Sequence, residues 1–110
     1  MKSSKSYLED MLGAIESIET YRVGSYEDLT RDEKTQDAIM FNLIILGEAA
    51  NRLPRAFQDA HPELPWASII GTRNVIVHGY VQIKLQIVWD ILTKELGKIK
   101  DTLQDWLSST

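Results

Sequence analysis

Apolar residues recur at helical spacing along most of the chain, and no segment shows the alternation of a β-strand. Residues 4–22 carry the first such pattern, with apolar side chains on one face and acidic side chains mostly on the other. The apolar face consists of Leu8, Met11, Leu12, Ile15 and Ile18. The pattern predicts an amphipathic helix.

The second helix is predicted to lie at the centre of the molecule. Thr30 and Glu33 have the spacing of a capping box, and Pro54 stops the helix just after Leu53. Residues 38–46 are apolar on nearly every side, except at Asn42. A helix of this kind lies inside a bundle, where the amide of Asn42 needs a hydrogen-bond partner.

A turn-rich connection over residues 54–66 follows, with room for one short helical piece. Pro65 suits the first turn of the next helix, and Gly79 suits its end because glycine readily takes the left-handed conformation there. The apolar run Val75 to Val77 is expected to anchor that end in the core.

The last helix is predicted over residues 83–107. Its apolar positions step by four and three residues, as in a heptad seam. They are Leu85, Trp89, Leu92, Leu96, Ile99, Leu103 and Trp106. Together the segments predict an all-α fold, a four- to five-helix up-down bundle.

The composition narrows the class of protein. The 110 residues are 44% apolar and 25% charged, which suits a single helical domain over residues 1–110. The absence of cysteine excludes disulfides, thiolate nucleophiles and cysteine-ligated metals. No apolar run approaches the ~18–20 residues that span a bilayer, and no secretory signal is recognisable. We therefore expect a cytoplasmic protein with no membrane association.

The most reactive side chains lie in the stretch "RNVIVHGY", residues 73–80. His78 titrates near neutral pH and can transfer protons, and Arg73 carries a planar charge that matches two phosphate oxygens. The pair suits metal-free RNA cleavage, with no cofactor. On a straight helix the two side chains lie ~140° apart, so they meet only if the helix ends early or Arg73 reaches around.

Ordinary structural roles compete with this interpretation. His78 would also complement the helix dipole, and Arg73 would pair with a carboxylate. Glu48, beside the small Gly47, is a candidate to orient Arg73 or His78, and its alternative is an ion pair with Arg52 one turn away.

The net charge of −4 is unusual for a nucleic-acid binder. Contact with RNA would require a local arginine cluster, for which Arg52 and Arg55 are candidates, or a basic groove between two copies. His61 has no companions at ligand spacing, so we expect no metal site.

Three segments together resemble the HepT-like branch of the HEPN superfamily: "ILGEAANRLP", "HPELPWASIIGTRNVIVHGY" and "LQIVWDIL". This resemblance implies a HEPN-like bundle that forms a homodimer and acts as a metal-independent endoribonuclease toxin on RNA. It implies catalytic roles for Arg73 and His78 and a supporting role for the polar Asn74. It also implies an MntA-like nucleotidyltransferase antitoxin, which attaches AMP to Tyr80 and so inhibits the toxin.

Another function remains open from the sequence. The chain would then be a non-catalytic nucleotide-binding or scaffold subunit of a minimal nucleotidyltransferase, with Arg73 and His78 holding a phosphate. The acidic net charge and the single motif histidine per chain favour this alternative. A purely structural dimer is the third possibility.

Overall fold

The computed structural model describes residues 2–79 and 83–109, and every regular element in these ranges is a helix. This confirms the all-α class. The helices are α1 Ser4–Thr20, α2 Tyr26–Thr30, α3 Glu33–Arg52, α4 Arg55–Ala60, α5 Trp66–Gly79, α6 Leu85–Lys94 and α7 Leu96–Ser108. The predicted count of four to five helices is too low for the described residues, because two short helices and one division of the last helix add to it.

The start of the central helix differs from the prediction. Thr30 is the last residue of α2, and its hydroxyl donates to the Glu27 carbonyl instead of capping α3. Asp32 caps α3: its carboxylate accepts from the Thr35 backbone N–H at 3.1 Å and from the Thr35 hydroxyl at 2.6 Å. These hydrogen bonds, the hydroxyl's first, lower the pKa of Asp32 from its ordinary value.

The predicted last helix is divided at Glu95, where φ is −117° and ψ is −44°. In α7 the predicted heptad positions Leu96, Ile99 and Leu103 are buried. In α6 the buried residues are Val88 and Ile91, whereas Leu85, Trp89 and Leu92 are only half-buried. α6 also packs on α2, a helix that the sequence pattern does not predict. The Trp89 ring meets the Tyr26 ring of α2 edge-on, with centroids 6.5 Å apart. This part of the predicted seam therefore faces α2.

The central position of α3 is confirmed. It packs against α1 on one side and α5 on the other. Asn42 is buried in α3 and donates to the Tyr21 hydroxyl at 3.1 Å and to the Ala38 carbonyl at 2.9 Å, so its polar group is satisfied within the chain. None of the helices among the described residues is long and apolar enough to cross a membrane.

α5 follows α3 through the short α4 and packs against it, with Gly47 of α3 facing Arg73 and Ile69 of α5. The apolar run of residues 75–77 lies in the second half of α5. Contrary to expectation, only Ile76 of the apolar run is buried there, whereas Val75 is 53% and Val77 44% exposed. Three consecutive helical residues point in directions 100° apart, so one bundle core cannot bury all three.

Candidate active site

The guanidinium of Arg73 is fixed by the carboxylate of Glu48, across the α3–α5 contact. Its Nε donates to Glu48 Oε1 at 2.9 Å, and its Nη2 donates to the same oxygen. The two side chains are 23% and 37% exposed, so the ion pair lies at the edge of the core. The expectation that Glu48 orients Arg73 agrees with this geometry, and the alternative pair with Arg52 does not form.

Asn74 completes the support of Arg73. Its side-chain oxygen accepts from Arg73 Nη1 at 2.7 Å. A guanidinium has five N–H donors, and these contacts use three of them. Among the described hydrogen bonds, one N–H therefore remains unused on each terminal nitrogen of Arg73. These two donors are available to an incoming anion.

Gly47 permits this arrangement by letting the stem of Arg73 cross the surface of α3. A Cβ atom at position 47 would overlap Arg73 Cβ, and it would lie 2.9 Å from Arg73 Cγ and 3.2 Å from the Ile69 carbonyl oxygen. Real Cβ atoms do not approach neighbours so closely, so any other residue would push the two helices apart. The small residue next to Glu48 thus sets where Arg73 can lie.

His78 is exposed on the last turn of α5, and the structure does not bring it to Arg73 within one chain. The helix continues without a break past Gly71 to Gly79, and no described glycine has a positive φ. Arg73 is held toward Glu48 instead of reaching around the helix. One chain therefore supplies the two groups separately, on faces ~140° apart.

Tyr80 lies outside the described residues. Among those described, no group of three or more His, Asp or Glu side chains is placed to hold a metal ion. His61 belongs to an aromatic cluster: its ring stacks on Phe57 at 4.1 Å, and its carbonyl accepts from Trp66 Nε1 at 2.8 Å. These contacts give His61 a structural role.

One exposed aromatic residue on α3 is not singled out by the sequence analysis. Phe41 is 62% exposed on α3. The continuous apolar pattern of residues 38–46 could have indicated an exposed apolar residue, because a helix packed on two neighbours leaves one face open. The prediction that this pattern is buried on nearly every side is wrong for the face that carries Phe41.

Comparisons with known proteins find relatives over most of the chain. The family model described as "Ribonuclease HepT-like" matches residues 11–106. The "Probable ribonuclease HepT" of Thermococcus cleftensis is 36% identical over 100 residues, which cover 90% of this chain and 91% of that protein. A "Putative RNase" of Caldanaerobacter subterraneus subsp. tengcongensis is 32% identical over 108 residues, 97% of this chain and 96% of its own. No solved structure matches the chain.

The matched region contains Glu48, Arg73, Asn74 and His78. The comparisons confirm the resemblance to HepT-like proteins that the three sequence segments indicated. A match to a ribonuclease family also supports the expected endoribonuclease activity.

The close approach at Gly47 can be tested by adding one methyl group. We expect Gly47→Ala to lower the free energy of unfolding by about 1–3 kcal/mol, because overpacking against the stem of Arg73 outweighs the better helix propensity of alanine. Urea unfolding of both proteins at one temperature measures the difference.

Gly13→Ala is the matched control in the interior of α1. A Cβ at Gly13 meets nothing within 4 Å, so we expect a gain of about 0.5–1 kcal/mol from propensity alone. Equal gains in both variants would contradict the steric role of Gly47.

Proposed function

Because the chain belongs to the Ribonuclease HepT-like family, we propose that it is a metal-independent endoribonuclease, the toxin of a type II toxin–antitoxin pair. The observation that carries the proposal is the guanidinium of Arg73, which Glu48 and Asn74 fix while two N–H donors stay unused. Two such donors match two oxygens of a phosphodiester. His78, on the same helix, supplies the proton-transfer group.

RNA cleavage without a metal ion uses the 2′-hydroxyl of the RNA as nucleophile. A base removes its proton, the 2′ oxygen bonds to the adjacent phosphorus, and the bond from phosphorus to the 5′ oxygen breaks. The leaving oxygen takes up a proton, so the products are a 2′,3′-cyclic phosphate and a 5′-hydroxyl. We assign proton transfer to His78 and stabilisation of the charge that develops on the phosphate to Arg73.

A homodimer completes the site in this proposal. One α5 presents Arg73 and His78 ~140° apart, so the two groups of one chain do not converge on one phosphate. Phe41 on α3 and Val75 and Val77 on α5 are exposed, and these two helices pack against each other. Burial of these side chains by a second copy would be favourable. Two-fold symmetry would then bring a second Arg73 and a second His78 to one cleft.

Control by an MntA-like nucleotidyltransferase is the regulatory part of the proposal. The Tyr80 hydroxyl would attack the α-phosphorus of ATP, losing its proton as the new O–P bond forms and pyrophosphate leaves. The attached AMP adds bulk and negative charge two positions after His78. Both oppose the entry of RNA.

A second candidate function is a non-catalytic nucleotide-binding or scaffold subunit of the nucleotidyltransferase. The net charge of −4 favours it, and so does the Glu48 carboxylate, which offsets part of the Arg73 charge. Arg73 and His78 would then hold a phosphate without cleaving a bond. RNA cleavage by the purified protein distinguishes the two functions.

We expect the purified protein to cleave RNA in EDTA and to leave 2′,3′-cyclic phosphate ends. His78→Ala should slow cleavage at least ~100-fold, the usual effect of losing a general base or acid. Because His78 is exposed, the thermal midpoint of the variant should match that of the unmodified chain. Equal cleavage by both proteins contradicts the role of His78. No cleavage by either, with Tyr80 unmodified by intact mass, favours the non-catalytic subunit.

The dimer is tested at Phe41, the most exposed of the three apolar side chains. Phe41→Glu should shift the protein from dimer to monomer in analytical ultracentrifugation and reduce RNA cleavage in parallel, because it places a charge in the apolar contact. Phe41→Leu, which keeps an apolar side chain, should remain dimeric and active. A monomeric unmodified chain, or an active Phe41→Glu monomer, would rule out the composite cleft.

The modification is tested by incubating the protein with ATP and an MntA-like nucleotidyltransferase. The intact mass should increase by AMP, peptide mapping should place it on Tyr80, and RNA cleavage should fall. Tyr80→Phe should gain no AMP and keep its activity, since it lacks the hydroxyl nucleophile. AMP on another tyrosine, or unchanged cleavage by the modified protein, would contradict the proposed regulation.

A further inference from the structure

A groove runs between the start of α1 and the end of α3, next to the Arg73–Glu48 pair. It encloses about 390 Å³, within the range of small-ligand sites. Glu48 belongs to both features, because it lines the groove and binds Arg73. The α1 side contributes Lys2, Tyr7 and Asp10, and α3 contributes Ile45, Glu48 and Arg52.

The charges in the groove leave one cation free. Glu48 pairs with Arg73, and Asp10 pairs with Lys2 at 2.6 Å. Arg52 is exposed and forms no ion pair among the described residues, since the carboxylate one turn before it is taken by Arg73. Four helical residues advance ~6 Å, so Arg52 lies one turn along α3 from the residue that positions Arg73.

Apolar side chains line the same groove as Arg52. The ring of Tyr7 is half-buried at the groove, and Ile45 lines the opposite helix. The Lys2 ammonium lies 5.6 Å from the Tyr7 centroid, but its side chain is 56% exposed, and an exposed ion pair of this kind adds little stability. Lys2 is therefore easily displaced by a ligand that stacks on the ring.

We propose that this groove binds the nucleotide next to the scissile phosphate of single-stranded RNA. Its base packs against Tyr7, and its phosphate is held by Arg52. Aromatic rings beside a basic side chain are the usual means of binding an unpaired nucleotide without sequence preference. The inference rests on the proposed ribonuclease function, because Arg73 defines the neighbouring phosphate.

Arg55 provides a matched control, three residues beyond Arg52 in the sequence. It pairs with Asp59 at 3.1 Å and lines a different groove, which Asn74 also lines. The two grooves share no residue. Arg52→Ala and Arg55→Ala remove the same charge. A general loss of positive charge affects both variants alike, whereas a specific phosphate contact at Arg52 affects only the first.

The test measures binding of a fluorescent single-stranded RNA oligonucleotide by anisotropy, with His78→Ala present in every protein to prevent cleavage. We expect Arg52→Ala to weaken binding about tenfold and to reduce the slope of log affinity against log salt by about 0.7 for each phosphate that the protein no longer neutralises. Arg55→Ala should change neither quantity. Tyr7→Leu should weaken binding roughly fivefold or more, and Tyr7→Phe should not, because only phenylalanine keeps the stacking ring.

Equal effects of Arg52→Ala and Arg55→Ala, or an unchanged salt slope in Arg52→Ala, would overturn the groove assignment. The salt slope remains informative if a Tyr7 variant folds poorly. In the cleavage assay with His78 intact, Arg52→Ala should raise KM about tenfold and leave kcat nearly unchanged, as expected for a binding contact outside the reacting centre. Failure of the unmodified chain to cleave RNA would instead contradict the ribonuclease function, while the anisotropy comparison would still decide the groove.

Discussion

The stem of Arg73 lies directly on Gly47, and the arrangement around the candidate site depends on this contact. It lets α3 and α5 approach closely enough for the Glu48 carboxylate to receive two guanidinium N–H groups. A flexible arginine loses much side-chain entropy when it is fixed. Here the packing on glycine and the ion pair share that cost, so the charge is already oriented before any phosphate arrives.

The unbroken α5 imposes the second constraint. A helix holds Arg73 rigidly, but the same regularity turns His78 away from it. The proposed homodimer would bring both groups to one phosphate, and the exposed Phe41, Val75 and Val77 offer apolar surface for such a contact. In this view rigid positioning and dimer formation are linked, since the geometry that orients Arg73 prevents a complete site within one protomer.

Local spacing predicted the helical class and the central α3, because both depend on periodicity. It also offered Glu48, beside the small Gly47, as a partner of Arg73 or His78, with Arg52 as the alternative. Two features of the fold could not be predicted from local spacing. The division at Glu95 and the short α2, on which α6 packs, leave no mark in the apolar periodicity. The exposure of Val75 and Val77 depends on which faces of α5 find neighbours, and apolarity alone does not specify that.

The acidic net charge argues less strongly against RNA binding when the individual charges around the site are considered. The Glu48 carboxylate beside the site is paired with Arg73, so it orients that cation more than it repels an approaching strand. Arg52 forms no ion pair among the described residues, and with the unused N–H donors of Arg73 it forms a small positive region next to Glu48. A region this small suits control by a single added anion, because one phosphate group beside it offsets much of the local charge.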